Sequence, residues 1–302
     1  MTEVKGKYSK PALTIEQQID LLVSRGLKIT DREEASHYLR FIGYYRLSAY
    51  GIPFEYGGAD ANNHYFRPNT NFEQILELYI FDRKLRLLIM DAIERIEVAL
   101  KATISDIASI HHGSHWFLQK EFFDVKFHHD SFLEKLKQDI ATNKSETLIQ
   151  QYINNYSDPE FPPSWMIFEM LSLGTVSLIY KFLKSELKKE VASLFGVHYS
   201  ILESWLHSLS YVRNLCAHHS RIWNRIFIIK PKILKECKAH IAQDNKFFAQ
   251  TFVIVRLLRK ISQNSHWEER LENLLKEYPS IDISMMGFPK NWMGLGIWEP
   301  PS

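Results

Sequence analysis

The sequence predicts an all-α fold: a helical bundle with a small N-terminal helical lobe. Three observations carry this. Apolar residues recur at steps of three and four over long stretches. Alternating strand patterns are almost absent. Hydrophobic residues make up 45% and aromatic residues 13% of 302 residues, enough for a large core. The organisation expected is a lobe or arm over residues 1–68, a bundle over 69–285 and an extended strap over 286–302.

The first helix follows Pro11, with Thr14 as cap and Gln17 three residues on; Ile15, Ile19, Leu22 and Val23 form its apolar face and Gly26 ends it. A second starts near Asp31 and carries Ala35, Tyr38, Leu39 and Ile42. The stretch from Gly57-Gly58 to Pro68 reads as a connector. The strongest helix runs from about Asn71 to Ile110, with Leu78, Phe81, Leu85, Leu88, Ala92, Arg95 and Ala99 as a heptad-like stripe. Asp91-Arg95 and Glu97-Lys101 on it are spaced as i,i+4 pairs, the mark of a solvated face. Further helices are expected over 130–143, from Ser164 to Tyr180 with an interruption at Gly174, over 244–262 and over 267–278. The run Lys181 to Lys189 reads as a solvated helix end.

Several function classes drop out. The two cysteines, Cys216 and Cys237, build neither a disulfide framework nor a zinc site. The histidines from His111 to His129 fit no standard ligand spacing, so no metal and no small-molecule cofactor are expected. No apolar stretch is long enough for a membrane span, and Met1 to Lys10 lacks the apolar core of a signal peptide, which predicts a cytoplasmic protein with no membrane partner. The net charge is +2, so any basic footprint for nucleic acid must be local.

The chemistry concentrates on one helix, expected from Tyr199 to about Phe227. Leu202, Trp205, Leu209, Val212, Cys216, His219, Trp223 and Ile226 form an unbroken seam. At about 100° per residue, Asn214 falls nearly opposite that seam, and His218 lies about 40° from Asn214. Arg221 and Arg225 continue the same face, and Arg213 sits between face and core. RNA cleavage needs such a set. The ribose 2′-hydroxyl must lose a proton, the 5′-oxygen must gain one, and charge on the phosphoryl oxygens needs a cation. On spacing alone, the same face also suits an ordinary polar helix surface. His219, on the seam, reads as a core or interface histidine. A face that points away from its own core is shallow and offers one histidine. A symmetric homodimer with a composite site would supply two.

The run Arg213-Asn214-Leu215-Cys216-Ala217-His218-His219-Ser220-Arg221-Ile222-Trp223-Asn224-Arg225 strongly resembles the signature of the Abi-like family, the AbiD/AbiF abortive-infection proteins. Its core is similar to the Arg-x4–6-His motif of the HEPN superfamily. The blocks Leu13–Leu27, Tyr38–Ser48, Phe81–Glu97, Pro163–Met166 and Met286–Pro289 resemble the rest of the family pattern. This resemblance implies a HEPN-like helical bundle, dimerisation and metal-independent endoribonuclease chemistry that leaves a 2′,3′-cyclic phosphate. It implies a role in phage defence. It gives His218 the general acid or base role, Arg213 the phosphate-stabilising role and Asn214 an orienting hydrogen bond. Some HEPN proteins are instead RNA-binding modules or halves of toxin–antitoxin pairs. The second reading is therefore a regulatory dimer that holds a small non-coding RNA without cutting it.

Arg40, Tyr44, Tyr45 and Arg46 interleave cations with aromatics, which suits stacking on unpaired bases and suits equally the packing of the arm. Arg83, Arg95 and Glu97 on the long helix are candidates to support the site, and Arg95 equally suits a buried ion pair.

Overall fold

A computed structural model describes residues 11–57, 64–142, 147–262 and 264–295. The tail Met1 to Lys10, the middle of the Gly57-Gly58 connector and the last seven residues of the expected strap lie outside the described residues. Among the described residues are twelve α-helices, short 3₁₀ turns and no strand beyond isolated bridges. The all-α expectation holds. The chain forms two compact units, Met1–Lys84 and Leu85–Ser302.

In the N-terminal unit, α1 (Ile15–Ser24) begins with a complete capping box between Thr14 and Gln17. It ends in a Schellman motif with Gly26 left-handed at φ 88°. The Gly26 amide reaches Val23 O, and that of Leu27 reaches Leu22 O. α2 (Arg32–Phe41) is capped by Asp31, which accepts from the Glu34 amide at 2.9 Å. α3 (Tyr44–Gly51) is a helix that periodicity does not announce, because it is only eight residues long. Ile19, Leu22, Ala35, Leu39 and Leu47 are buried in this unit. Tyr50 is buried too and donates to Asp82 Oδ2 at 2.8 Å.

α4 (Phe72–His112) is the long helix expected from the sequence. Its buried stripe departs from the heptad reading. Leu78, Phe81, Leu85, Leu88 and Ala92 are buried as expected, but Arg95 and Ala99 are only half-buried, and Ile96, Leu100, Ile104 and Ala108 take their place. A 3.5-residue stripe drifts by about 20° per heptad on a straight helix, and steps of four restore the facing.

α5 (His129–Thr142) and α6 (Thr147–Asn155) follow. The helix expected from Ser164 to Tyr180 is two helices, α7 (Ser164–Met170) and α8 (Leu173–Phe182). The break comes at Leu171-Ser172 rather than at Gly174, because the Ser172 hydroxyl caps α8 on the Thr175 amide. In the lysine run, Lys181, Lys184 and Lys189 are exposed as a solvated end would have them, but the run does not end there. It opens α9 (Ser185–Leu194), and Lys188 is buried with its ammonium on Glu203 and on Lys181 O.

α10 (Tyr199–Ala217) packs on α8, α9 and α11 (Phe247–Ile261). α12 (Trp267–Glu277) is tied to α4 by a bond from Trp267 Nε1 to Leu88 O at 2.7 Å. Two 3₁₀ turns follow, Ile283–Met286 and Trp292–Gly294. Met286, Phe288 and Trp292 there are buried, and Phe288 packs 5.0 Å from Phe248 of α11.

Buried Tyr180 on α8 donates to Lys188 O at 3.0 Å. Burial, with a smaller contribution from Glu203, pushes its phenol far above the usual range. In the unfolded chain it ionises near pH 10, while in the fold it keeps its proton. Its contribution is therefore full below about pH 10 and is lost as pH rises beyond that. Tyr180→Phe should lose about 1 kcal/mol at neutral pH and show a flatter alkaline limb. Urea unfolding at pH 8 and pH 11 measures both.

Candidate functional site

The helix expected to reach Phe227 stops ten residues earlier. α10 ends at Ala217, with His218 at its C-cap. The ending is a Schellman motif: the His219 amide donates to Cys216 O at 3.0 Å and the Ser220 amide to Leu215 O at 2.8 Å. His219 occupies the left-handed position, φ 54°, that glycine usually takes. The expectation that His219 and Ile226 belong to the buried seam is therefore corrected. Both are exposed, Ile226 by 64%.

The seam holds up to the cap. Leu202, Trp205, Leu209, Val212 and Cys216 are all buried. Buried Ser208 donates to Gln250 Oε1 of α11 at 2.8 Å. These contacts fix the rotation of α10 and so the direction of its last turn. Asn214 and His218 are exposed, and Arg213 is half-buried between face and core. The Arg213 guanidinium donates to Asn214 Oδ1 at 3.4 Å. The His218 amide still closes on Asn214 O at 2.9 Å, so Asn214 and His218 stay one turn apart.

Arg221 and Arg225 do not extend a helical face. They lie in the chain that turns after the cap, where Asn224 is also left-handed at φ 50°. Arg225 Nε donates to Arg221 O at 2.9 Å. Three residues that spacing does not reach build this turn. Arg86 of α4 is only 5% exposed and places Nη1 3.5 Å from Ser220 O. Asn224 Oδ1 accepts from Lys246 Nζ at 2.8 Å. Burial, and then Arg221 nearby, push the Lys246 ammonium below its usual range. A signal for Arg86 was available: it sits in step with Ile89 and Ile93 on the apolar stripe of α4, where a cation needs a reason.

The cations answer a physical need. A helix C-terminus presents carbonyls and a partial negative charge, which nearby cations offset. Here the Schellman bonds occupy the carbonyls of Leu215 and Cys216, and Arg86, Arg221, Arg225 and Lys246 cluster around the turn. An exposed imidazole, an exposed carboxamide and guanidinium groups are thus gathered at one helix end.

Arg213 also lines a groove of 540 Å³ along α4, with Leu87, Met90, Asp91, Glu94, Glu97 and Val98 among its walls. Of the support candidates, Arg95 pairs with Asp91 at 2.9 Å and Glu97 with Lys101 at 3.0 Å. The Glu97–Lys101 pair is mostly buried rather than solvated, with side-chain exposures of 14% and 11%. Arg83 belongs to the N-terminal unit, as do Arg40, Tyr44, Tyr45 and Arg46. Arg40 is exposed and Tyr45 is 91% exposed, whereas Arg46 is half-buried and the Tyr44 hydroxyl accepts from Arg25 at 2.9 Å.

Three histidines of the 111–129 segment have structural partners. His111 meets Glu190, His115 meets Phe161 O, and buried His129 meets Phe117 O. No group of three or more His, Cys, Asp or Glu side chains suited to a metal ion occurs among the described residues. Nor is any described helix long and apolar enough to cross a membrane.

The fold and site define an all-helical protein with an Arg-Asn-x3-His cluster at the exposed end of a buried helix. The family described as Abi-like protein matches residues 37–224, well over half of the chain, and the chain belongs to it. The match begins in α2 and ends at Asn224, so it contains Arg213, Asn214, His218 and the left-handed turn that follows. The blocks at Leu13–Leu27 and Met286–Pro289 fall outside it. No curated protein and no solved structure matches the chain.

Proposed function

We propose that this chain is a phage-defence protein of the abortive-infection type that cleaves RNA at the end of α10, across a HEPN-like homodimer. The observation that carries the reading is the C-cap itself. His218 is exposed one turn from Asn214, on which the Arg213 guanidinium rests, at the end of a helix whose rotation is locked by its seam. The membership of the Abi-like family supports the defence role.

In the proposed step, His218 takes the proton of a ribose 2′-hydroxyl. The 2′-oxygen attacks the adjacent phosphorus, and the bond to the 5′-oxygen breaks. That oxygen leaves with a proton, and the other product carries a 2′,3′-cyclic phosphate. Arg213 stabilises the phosphoryl charge, as a forked cation does best, and Asn214 orients it. Arg221 and Arg225 hold the flanking phosphates.

One histidine serves one proton transfer at a time. A second copy of the same helix end across a two-fold axis supplies the other. Exposed apolar side chains near the site suit such an interface. Leu87 and Val98 on the Arg213 groove are 60% and 56% exposed, and Ile226 and Ile228 are 64% and 85% exposed.

The test is incubation of the purified protein with total RNA in excess chelator, followed by end analysis of the fragments. Cyclic phosphate ends together with a dimer in light scattering are the expected result. Cleavage by a strict monomer overturns the composite site, and the absence of any cut fragment overturns the nuclease.

A further inference from the structure

A polar track leaves the proposed site along α10 and leads to a lysine-lined groove at its far end. On α10, Glu203, His207, Ser210 and Asn214 follow at steps of four, three and four, so they share one face. His207 is exposed midway along it. Between this face and α8 lies a cleft of 310 Å³, lined by Ser177, Lys181, Glu203, Ser204, His207 and Ser210 among others. Its one carboxylate, Glu203, is held by the Lys188 ammonium. Exposed Lys181 and His207 therefore set its polarity.

At the N-terminal end of α10 a second groove opens, of 640 Å³, lined by Ile201, Pro231, Lys230, Lys232 and Lys238 among others. The two meet at α10. Ser204 lines the cleft and accepts the main-chain amide of Lys232 at 2.9 Å, while the Lys232 side chain lines the groove. A bond from Trp205 Nε1 to Lys232 O at 2.8 Å fixes the same segment.

The charge is local. Between Ile228 and Asp244 stand four lysines (230, 232, 235, 238) against Glu236 and Asp244, a net +2 in this short segment, equal to that of the entire chain. Asp244 neutralises Lys230 at 3.0 Å, and Lys232 and Lys238 are exposed.

We infer that the cleft and the lysine groove form a binding track for single-stranded RNA, which holds the substrate several nucleotides away from the cleaved bond. The inference rests on the nuclease reading of the α10 end. Charge complementarity selects the occupant, because a groove with unneutralised lysines gains most from a polyanion, by counterion release. Ser204 and His218 are fourteen residues apart, about 21 Å along a helix. At about 3.4 Å per phosphate in a stacked strand, that is roughly six nucleotides. RNA that extends fewer than about six nucleotides from the scissile bond cannot reach the lysines.

The experiment compares fluorescein-labelled oligouridylates of four and twelve nucleotides on full-length protein and on Lys232→Glu/Lys238→Glu. Both side chains are exposed, and the main-chain bonds to Ser204 and Trp205 do not depend on them. Wild type should bind the longer RNA more tightly. The double variant should lose that length advantage, with a salt slope shallower by about 1.4, or 0.7 per lost single-strand contact. Binding and cleavage of the four-nucleotide RNA should stay unchanged. His207→Ala should lose part of the advantage. If wild type prefers the longer RNA and the double variant keeps the preference, the track is wrong and the nuclease reading stands. If wild type neither binds nor cuts RNA, both fall. If polyglutamate displaces the twelve-nucleotide RNA as well as unlabelled RNA does, the groove belongs to an acidic protein segment and the inference is overturned.

Discussion

His218→Ala is expected to lower RNA cleavage by about 10²–10⁴ while the protein stays folded and still binds RNA. The side chain is exposed and lies beyond the last helical residue, so its removal takes nothing from the core. The cap is held by main-chain amides, those of His218, His219 and Ser220, and these survive the substitution. Unfolding free energy should therefore move by no more than about 0.5 kcal/mol. The cations around the turn also remain, so any RNA affinity and its salt dependence should persist. Single-turnover cleavage, with denaturant melts and RNA binding in parallel, separates these quantities. A regulatory RNA-binding dimer predicts something else. There the wild type makes no cut for His218 to lose, and Arg221 or Arg225 substitutions weaken binding instead. Equal cleavage by wild type and His218→Ala would remove His218 from the chemistry altogether.

Much of this arrangement was legible in the sequence, and the exceptions have physical reasons. Thr14, Asp31 and Gly26 mark the helix ends of the N-terminal unit because capping is local chemistry. The seam of α10 was legible because Leu202, Trp205, Leu209, Val212 and Cys216 are one buried stripe. The end of α10 was not. No glycine or proline stands between Tyr199 and Lys230, and the three-four pattern runs on through His219, Trp223 and Ile226. Tertiary forces stop the helix. Ile222 would lie about 100° from the seam on a continued helix, and only about 40° from His218 on its polar face. After the Schellman turn it is fully buried, as Phe227 and Trp223 nearly are. That burial offsets the cost of a non-glycine residue at φ 54°. Ile222, apolar and off the seam, was a sequence clue to the break. Arg213, Asn214 and His218 thus stand at the end of α10 as the helix reading placed them, but Arg221 and Arg225 reach the cluster through a loop. Arg86 and Lys246 come from distant parts of the chain, and only the fold brings them to the turn.

Trp205→Ala should be the most destabilising single change on α10, at about 3–5 kcal/mol. Trp205 is fully buried, and its ring meets Phe252 of α11 edge-on at 5.9 Å. Its indole N–H is also the donor to Lys232 O, so alanine leaves both a cavity and a main-chain acceptor without that bond. A loss of this size is a large part of the 5–15 kcal/mol that holds a typical domain together. Trp205→Phe separates the two effects. The ring's burial is largely kept while the bond is lost, and the expected cost falls to about 1–2 kcal/mol. The bond also ties the 229–232 segment to the helix. The phenylalanine variant should therefore exchange the amide protons of that segment faster, without a matching change at Asn214 or His218. Urea unfolding of both variants, with hydrogen exchange on the phenylalanine form, reads these outcomes. A Trp205→Ala protein within 1 kcal/mol of wild type would mean that α10 is not held by its seam. The rotation that aims Asn214 and His218 outward would then need another cause.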